Sequence, residues 1–246
     1  KTMSNKILLV FEGEKTESLI ANSLIASLIE QTSNLVEAVY KTHIYNLYTE
    51  VINDPFLDIF HLIKEKNPHL NHFERDEFSQ IYLFFDYDGH VGGALDQKIE
   101  VLLEYFNEES EQGKLFISYP MVEAIRCVKD LDDLDSFLNV TYKKSDFKQF
   151  KPFVHTYGLQ KLQKYSNYSD EIKEKLISFH CKKANYLVHN NLNYPDEPIE
   201  QTEIFRSQQE KFIYVTDNVT ILGSFPLMLL DYFGAKKLFS LLNNGK

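Results

Sequence analysis

The chain has no tryptophan, three methionines and two cysteines. Cys127 and Cys181 belong to no Cys-x-x-Cys pair and to no Cys/His ligand spacing, so neither a disulfide framework nor a zinc site is supported. Long apolar runs are also missing. Ile81 to Phe85 and Phe225 to Leu230 are among the longest, far short of the roughly 20 residues a bilayer-spanning helix needs, and no membrane association is expected. The N-terminal residues show no charged stretch leading into an apolar run and a small-residue cleavage site, so no secretory leader is expected and a cytoplasmic location is. With 9 glycines and 7 prolines the sequence is neither collagenous nor of low complexity. Positive charge is scarce as well: 26 Lys and Arg stand against 36 Asp and Glu, a net charge of −10 that by itself opposes phosphate binding. What is present, 246 residues of which 43% are hydrophobic, suffices for a sizeable core.

The average charge hides an asymmetry. Residues 141–183 carry ten lysines against four acids, about +6, which leaves about −16 on the remainder. Phe147, Phe150, Phe153, Tyr157, Tyr165 and Tyr168 are interleaved among those lysines. Two readings follow: a basic groove with aromatic platforms for single-stranded nucleic acid, or a solvated lysine face over core aromatics. On the first, Lys143, Lys144, Lys148 and Lys151 are the candidate nucleic-acid contacts.

Lys6 to Phe11 is an apolar run rich in strand formers, followed by Glu12-Gly13 and a helical pattern over 16–31. A second strand is expected within Leu35 to Tyr48, where Val39-Tyr40 and Ile44 to Tyr48 favour extended structure. Asp54-Pro55 resembles a cap opening a helix to Lys66. Gln80 to Phe85 is the strongest strand signal and runs into Asp86-Tyr-Asp-Gly89; a helix over 94–107, a strand over 114–118 and a helix from Pro120 carrying Glu123 follow. Alternating strands and helices predict an α/β fold with a mostly parallel sheet. Beyond about Asn139 the pattern is mainly helical, near 157–164, 170–189, 200–213 and 225–242, with a strand-like stretch over 212–216 ending at Asp217.

Glu12, Asp86 with Asp88, and Glu123 each follow a predicted strand, and in such a sheet those points converge. An Asp-x-Asp pair offers oxygen ligands on one side, as hard divalent ions require. Lys15, near the first helix N-terminus, could pair with a phosphate oxygen, or be a surface lysine. Glu14 and Glu17 read as first-turn helix acids, and His90 as a proton relay or a polar loop residue. Strand-end acids also cap helices and turns, and Asp217 is read in that way.

Lys6 to Glu17 (KILLVFEGEKTE), Ile81 to His90 (IYLFFDYDGH) and Phe116 to Ile125 (FISYPMVEAI) resemble, in order, three signatures of the TOPRIM superfamily. Within it they are most similar to the RloB-like and abortive-infection proteins, and more distantly to the nuclease domain of the overcoming-lysogenization-defect family. The resemblance spans roughly residues 5–130; Tyr119 stands where Asn is usual. It implies a TOPRIM-like catalytic domain over 5–138; the helical pattern beyond it, which the resemblance does not cover, is expected to form a C-terminal lobe over 139–246. It further implies a Mg²⁺- or Mn²⁺-dependent nuclease with Glu12, Asp86, Asp88 and Glu123 as catalytic and metal residues and Lys15 beside them. Relatives of this kind imply a role in bacterial anti-phage defence and an ATPase partner of the ABC or AAA type. A haloacid-dehalogenase-like phosphatase is the enzymatic rival, since an apolar strand followed by Asp-x-Asp-Gly is also its nucleophile motif, but it leaves Glu12-Gly13 unexplained. The non-enzymatic rival is a TOPRIM-like sensor or partner subunit of an ATPase complex.

Overall fold

The computed structural model describes residues 6–30, 33–89 and 95–243. Five strands form one sheet: β1 (Lys6–Phe11), β2 (Asn34–Val39), β3 (Phe78–Asp86), β4 (Asn107–Glu108) and β5 (Gly113–Ser118). The spatial order is β2-β1-β3-β5-β4, parallel throughout except at β4, so the expected α/β architecture is observed. Ile7 to Phe11 are all buried, as an unbroken apolar run requires when helices cover both faces of a strand. From β1 the chain crosses to β2 on one side and then returns to β3 on the other. That reversal opens a crevice at the carboxyl ends of β1 and β3, where ligands bind in open α/β sheets.

The helix after β1 (α1) runs over 16–29, with a π-helical stretch at Ala21–Ile25. Ile20, Leu24, Ile25 and Ile29 form its buried stripe. Ile44 to Tyr48 is not extended: it opens helix α2 (Ile44–Asn53), which buries Ile44, Leu47 and Val51 at helical spacing. Strand propensity there gives way to an amphipathic stripe packed on the core. The next helix, α3 (Ile59–Lys66), starts later than expected, because Asp58 supplies the cap, accepting from the N–H groups of Phe60 (2.9 Å) and His61 (3.2 Å). Asp54 instead accepts from the Phe56 N–H at 3.0 Å, closing a local turn. Helix α4 (Asp96–Tyr105) leads to β4 and β5. After β5 the chain passes the cis Tyr119-Pro120 peptide into a 3-10 turn, Val122–Arg126, in place of the expected helix.

The C-terminal elements are α5 (Leu134–Leu138), α6 (Phe150–Tyr157), α7 (Asp170–His189), α8 (Gln201–Gln208), α9 (Ser224–Phe233) and α10 (Ala235–Asn243). Residues 209–216 prolong α8 through a π turn, so the strand expected at 212–216 is helical. Strands β6 (Thr141–Lys143) and β7 (Asn218–Thr220) pair in an antiparallel ribbon. Asp217 makes the left-handed turn into it, with φ 55°.

Helix α9 lies on the sheet. The Phe225 ring stacks on Phe84 at 4.5 Å and sits 6.1 Å from Phe11. Ser224 and Ser118 hydroxyls meet at 2.8 Å, and Lys114 reaches Asp231 at 2.6 Å. One connected set of buried side chains therefore runs from β1 to Leu238. Among the described residues no helix is long and apolar enough to cross a membrane. Truncating Phe225→Ala is expected to cost about 3–5 kcal/mol, as for other buried phenylalanines. Urea denaturation measures it; a loss under about 1 kcal/mol would contradict the role of α9 as part of the core.

Candidate functional site

The parallel junction of β1 and β3 builds the floor of the site. Phe11 pairs with Phe84, and the Glu12 N–H donates to the Phe84 carbonyl at 3.1 Å. Glu12 thus stands one step beyond the strand, and its Oε2 accepts the Asp86 N–H at 3.1 Å. Tyr87 is fully buried, with its N–H bonded to the Ser118 carbonyl (3.0 Å) and its hydroxyl donating to Asp96 (2.6 Å). The fixed tyrosine leaves Asp86 and Asp88 on either side of it, both lining the same cavity as Glu12. Asp88 takes the left-handed conformation, φ 45°, which Asp tolerates better than most residues.

Glu123, on the 3-10 turn after β5, is 2% exposed. Its Oε1 lies 3.2 Å from the Lys151 ammonium, while Oε2 is sealed from solvent without a hydrogen-bond partner. His180 steadies that turn from α7. Its Nδ1 accepts the Gly223 N–H at 2.9 Å, which leaves Nε2 to face the Ile125 carbonyl at 3.3 Å. Burial, then the Lys183 charge, pushes His180 down to about 3, so it is neutral and structural. Glu17 joins the group from α1: it is buried, and its Oε1 accepts the Gly13 N–H at 3.0 Å.

These acids disfavour one another's charge. Burial, then the charge of Asp88 and more weakly Glu17, pushes Glu12 up to about 8 against the opposing Asp86 N–H and Lys151. Asp86 is raised well above the usual carboxylate range by burial, then by Glu12, Asp88, Glu123 and Glu17. Lys151 answers them: burial works against its charge, but Glu123, with Asp86 and Glu17 behind it, holds its ammonium above the ordinary lysine range.

An open cavity of about 660 Å³ covers this floor, walled by Lys15, Lys41, Thr42, His43 and Lys151. The structure therefore brings Glu12, Asp86 and Asp88 together, seats Glu123 beside them through Lys151, and leaves Lys15 exposed at the rim. Of the four candidate nucleic-acid lysines, only Lys151 enters the site. Lys144 is drawn instead onto the Tyr87 ring (5.3 Å) and toward Asp96 (3.9 Å), and Lys143 and Lys148 are exposed on the same segment. The interleaved aromatics are core. Phe147, Phe150, Tyr165 and Tyr168 are buried, and the half-buried Phe153 packs between Tyr142 (4.8 Å) and Tyr157 (5.1 Å) against that core. Exposed Glu14 pairs with Lys41 at 3.8 Å, and His90 lies outside the described residues.

Two site residues escape sequence reasoning. Glu17 is explained locally as a first-turn acid, and only its reach back to Gly13 reveals the second role. His43 sits in a stretch that reads as strand, with no motif around it.

Among the described residues, no three acidic, imidazole or thiol groups are already gathered as a metal shell. The donor chemistry nevertheless fits a hard divalent ion: every candidate ligand is a carboxylate oxygen, Glu123 Oε2 is buried without a partner, and the acids repel one another. Glu12, Asp86, Asp88 and Glu123 would hold such an ion. No family model, curated protein or solved structure matches the chain.

Acids with raised folded-state pKa values bind more protons folded than unfolded, so their contribution to stability falls as pH rises. From the ordinary carboxylate range up through about 8, the metal-free protein is expected to lose stability from this cluster. Thermal melts of wild type and Asp86→Asn test it. The variant should melt higher than wild type at pH 8 and nearly level with it at pH 5; equal behaviour at both would contradict the electrostatic picture.

Proposed function

We propose that the chain is a TOPRIM-like nuclease that hydrolyses nucleic-acid phosphodiester bonds with Mg²⁺ or Mn²⁺. The observation that carries the reading is the convergence of Glu12, Asp86 and Asp88 on one crevice at the strand ends, with the buried Glu123 joined to it through Lys151. The three sequence signatures supply these same four residues. A bound divalent ion supplies a more acidic attacking water and offsets negative charge on the phosphate. Glu12, which accepts the Asp86 N–H at the floor of the crevice, would take a proton from water there once its own proton has been lost. Asp86 and Asp88 offer further carboxyl oxygens beside Glu12, and Lys151 is placed to turn from Glu123 to a phosphate oxygen. The resemblance to RloB-like and abortive-infection proteins makes anti-phage defence, with an ABC- or AAA-type ATPase partner, the proposed setting.

A second reading, a TOPRIM-like sensor or subunit without catalysis, is favoured by the lack of a ready metal shell among the described residues. Cleavage of single- and double-stranded DNA, RNA and tRNA with Mg²⁺ or Mn²⁺ separates the two. Wild type should cleave at least one class, and Glu12→Ala and Asp86→Ala should each fall by about 10²-fold or more. No cleavage with or without the neighbouring ATPase would support the second reading.

A further inference from the structure

The wall of the cavity facing the carboxylates is the short turn Lys41-Thr42-His43, whose position is fixed by the sheet. Past the end of β2, the Tyr40 N–H donates to the Phe11 carbonyl (2.7 Å) and the Lys41 N–H to the carbonyl of Glu12 itself (3.1 Å). Lys41 is left-handed, φ 70°, and the chain there turns across the strand ends before α2 begins. The turn is thus tied to the peptide that carries the candidate catalytic glutamate.

His43 occupies the N-cap position of α2, yet its side chain makes no capping hydrogen bond. That position ordinarily uses Ser, Thr, Asp or Asn to satisfy the first helical N–H groups. Nδ1 is sealed from solvent and has no hydrogen-bond partner among the described residues, which leaves Nε2 as the nitrogen that can reach the cavity. The ring rests 6.0 Å from Tyr45, whose hydroxyl donates to the Tyr87 carbonyl between Asp86 and Asp88 (3.1 Å). An imidazole without a partner among the described residues, beside a cavity floored with acids, is an unexplained polar group. Thr42 and Lys41 add a hydroxyl and an ammonium on the same wall.

We propose that Lys41-Thr42-His43 is the phosphate-binding wall of the cavity, with His43 donating a hydrogen bond to a non-bridging oxygen of the phosphodiester. This rests on the phosphodiesterase reading, and it assigns the phosphate two faces: one toward the carboxylate floor, one toward neutral or cationic donors. A donor on that face would position the substrate and oppose its repulsion by the acids.

The test is binding of the dinucleotide dTpdT to the full chain with Ca²⁺ as the divalent ion, by calorimetry. His43→Leu removes the donor at similar bulk, and His43→Gln keeps one. His43→Leu should weaken dTpdT at least tenfold, and His43→Gln should stay within about threefold of wild type. With the two methylphosphonate isomers of dTpdT, each lacking one non-bridging oxygen, the His43→Leu penalty should vanish for one isomer only. His43→Leu binding like wild type, or losing affinity equally for dTpdT and both isomers, would overturn the proposal while leaving the parent reading standing. Absence of Ca²⁺-dependent binding of any of these probes by wild type would overturn both. Melting temperatures within about 2 °C of wild type confirm that each variant is folded.

Discussion

The crevice depends on one junction, marked by the hydrogen bond from the Asp86 N–H to Glu12 Oε2 that joins two strand-end residues in one site. It exists because β1 and β3 are parallel neighbours with their carboxyl ends level, Phe11 against Phe84. In an antiparallel pair those acids would lie at opposite ends of the sheet. Once they meet, burial and mutual charge do the rest: Glu12 and Asp86 both resist ionisation, Glu123 is pulled toward Lys151, and Glu17 finds a backbone N–H. The surrounding structure tolerates this repulsion by surrounding the acids with a core that is already complete, from Phe84 and Phe225 to the bonded Tyr87.

Residues 139–243 act on the site from outside the sheet. α9 covers one face through Phe225, α7 holds the turn that carries Glu123 through His180, and α6 contributes Lys151. The basic segment is therefore divided in its roles. Lys151 compensates a buried carboxylate, Lys144 braces the Tyr87 turn, and Lys183 is buried against the Phe137 and Val140 carbonyls (2.7 and 3.0 Å). At least these three of the ten lysines are therefore engaged within the fold, while Lys143 and Lys148 are exposed.

The parts legible in the sequence are those set by local pattern alone. The apolar runs at β1, β3 and β5 have no competing explanation, and the acids that end two of them mark the crevice. Helix α7, opened by Ser169 and closed by the left-handed Asn190, is equally plain. What was not legible depends on tertiary choice. Ile44 to Tyr48 satisfies strand propensity and a helical stripe at once, and packing on the core selects the helix. Asp54 and Asp58 are both plausible caps four residues apart, distinguished only by which N–H groups come within reach. Glu17 and His43 carry no spacing that separates a site residue from an ordinary helix-end residue, since their significance lies in what the sheet brings opposite them.

The central claim is that the cluster of crowded carboxyl groups assembled by the β1–β3 junction binds a divalent cation. Calorimetric titration of Mn²⁺ into wild type at pH 7.5, in two buffers of different ionisation heat, tests it most directly. Because Glu12, pushed up to about 8, favours its protonated form at pH 7.5 and a metal ligand must lose that proton, binding should release protons, and Asp86→Asn should weaken it at least tenfold. Undetectable binding, or binding with no proton release and no effect of the substitution, would contradict the account.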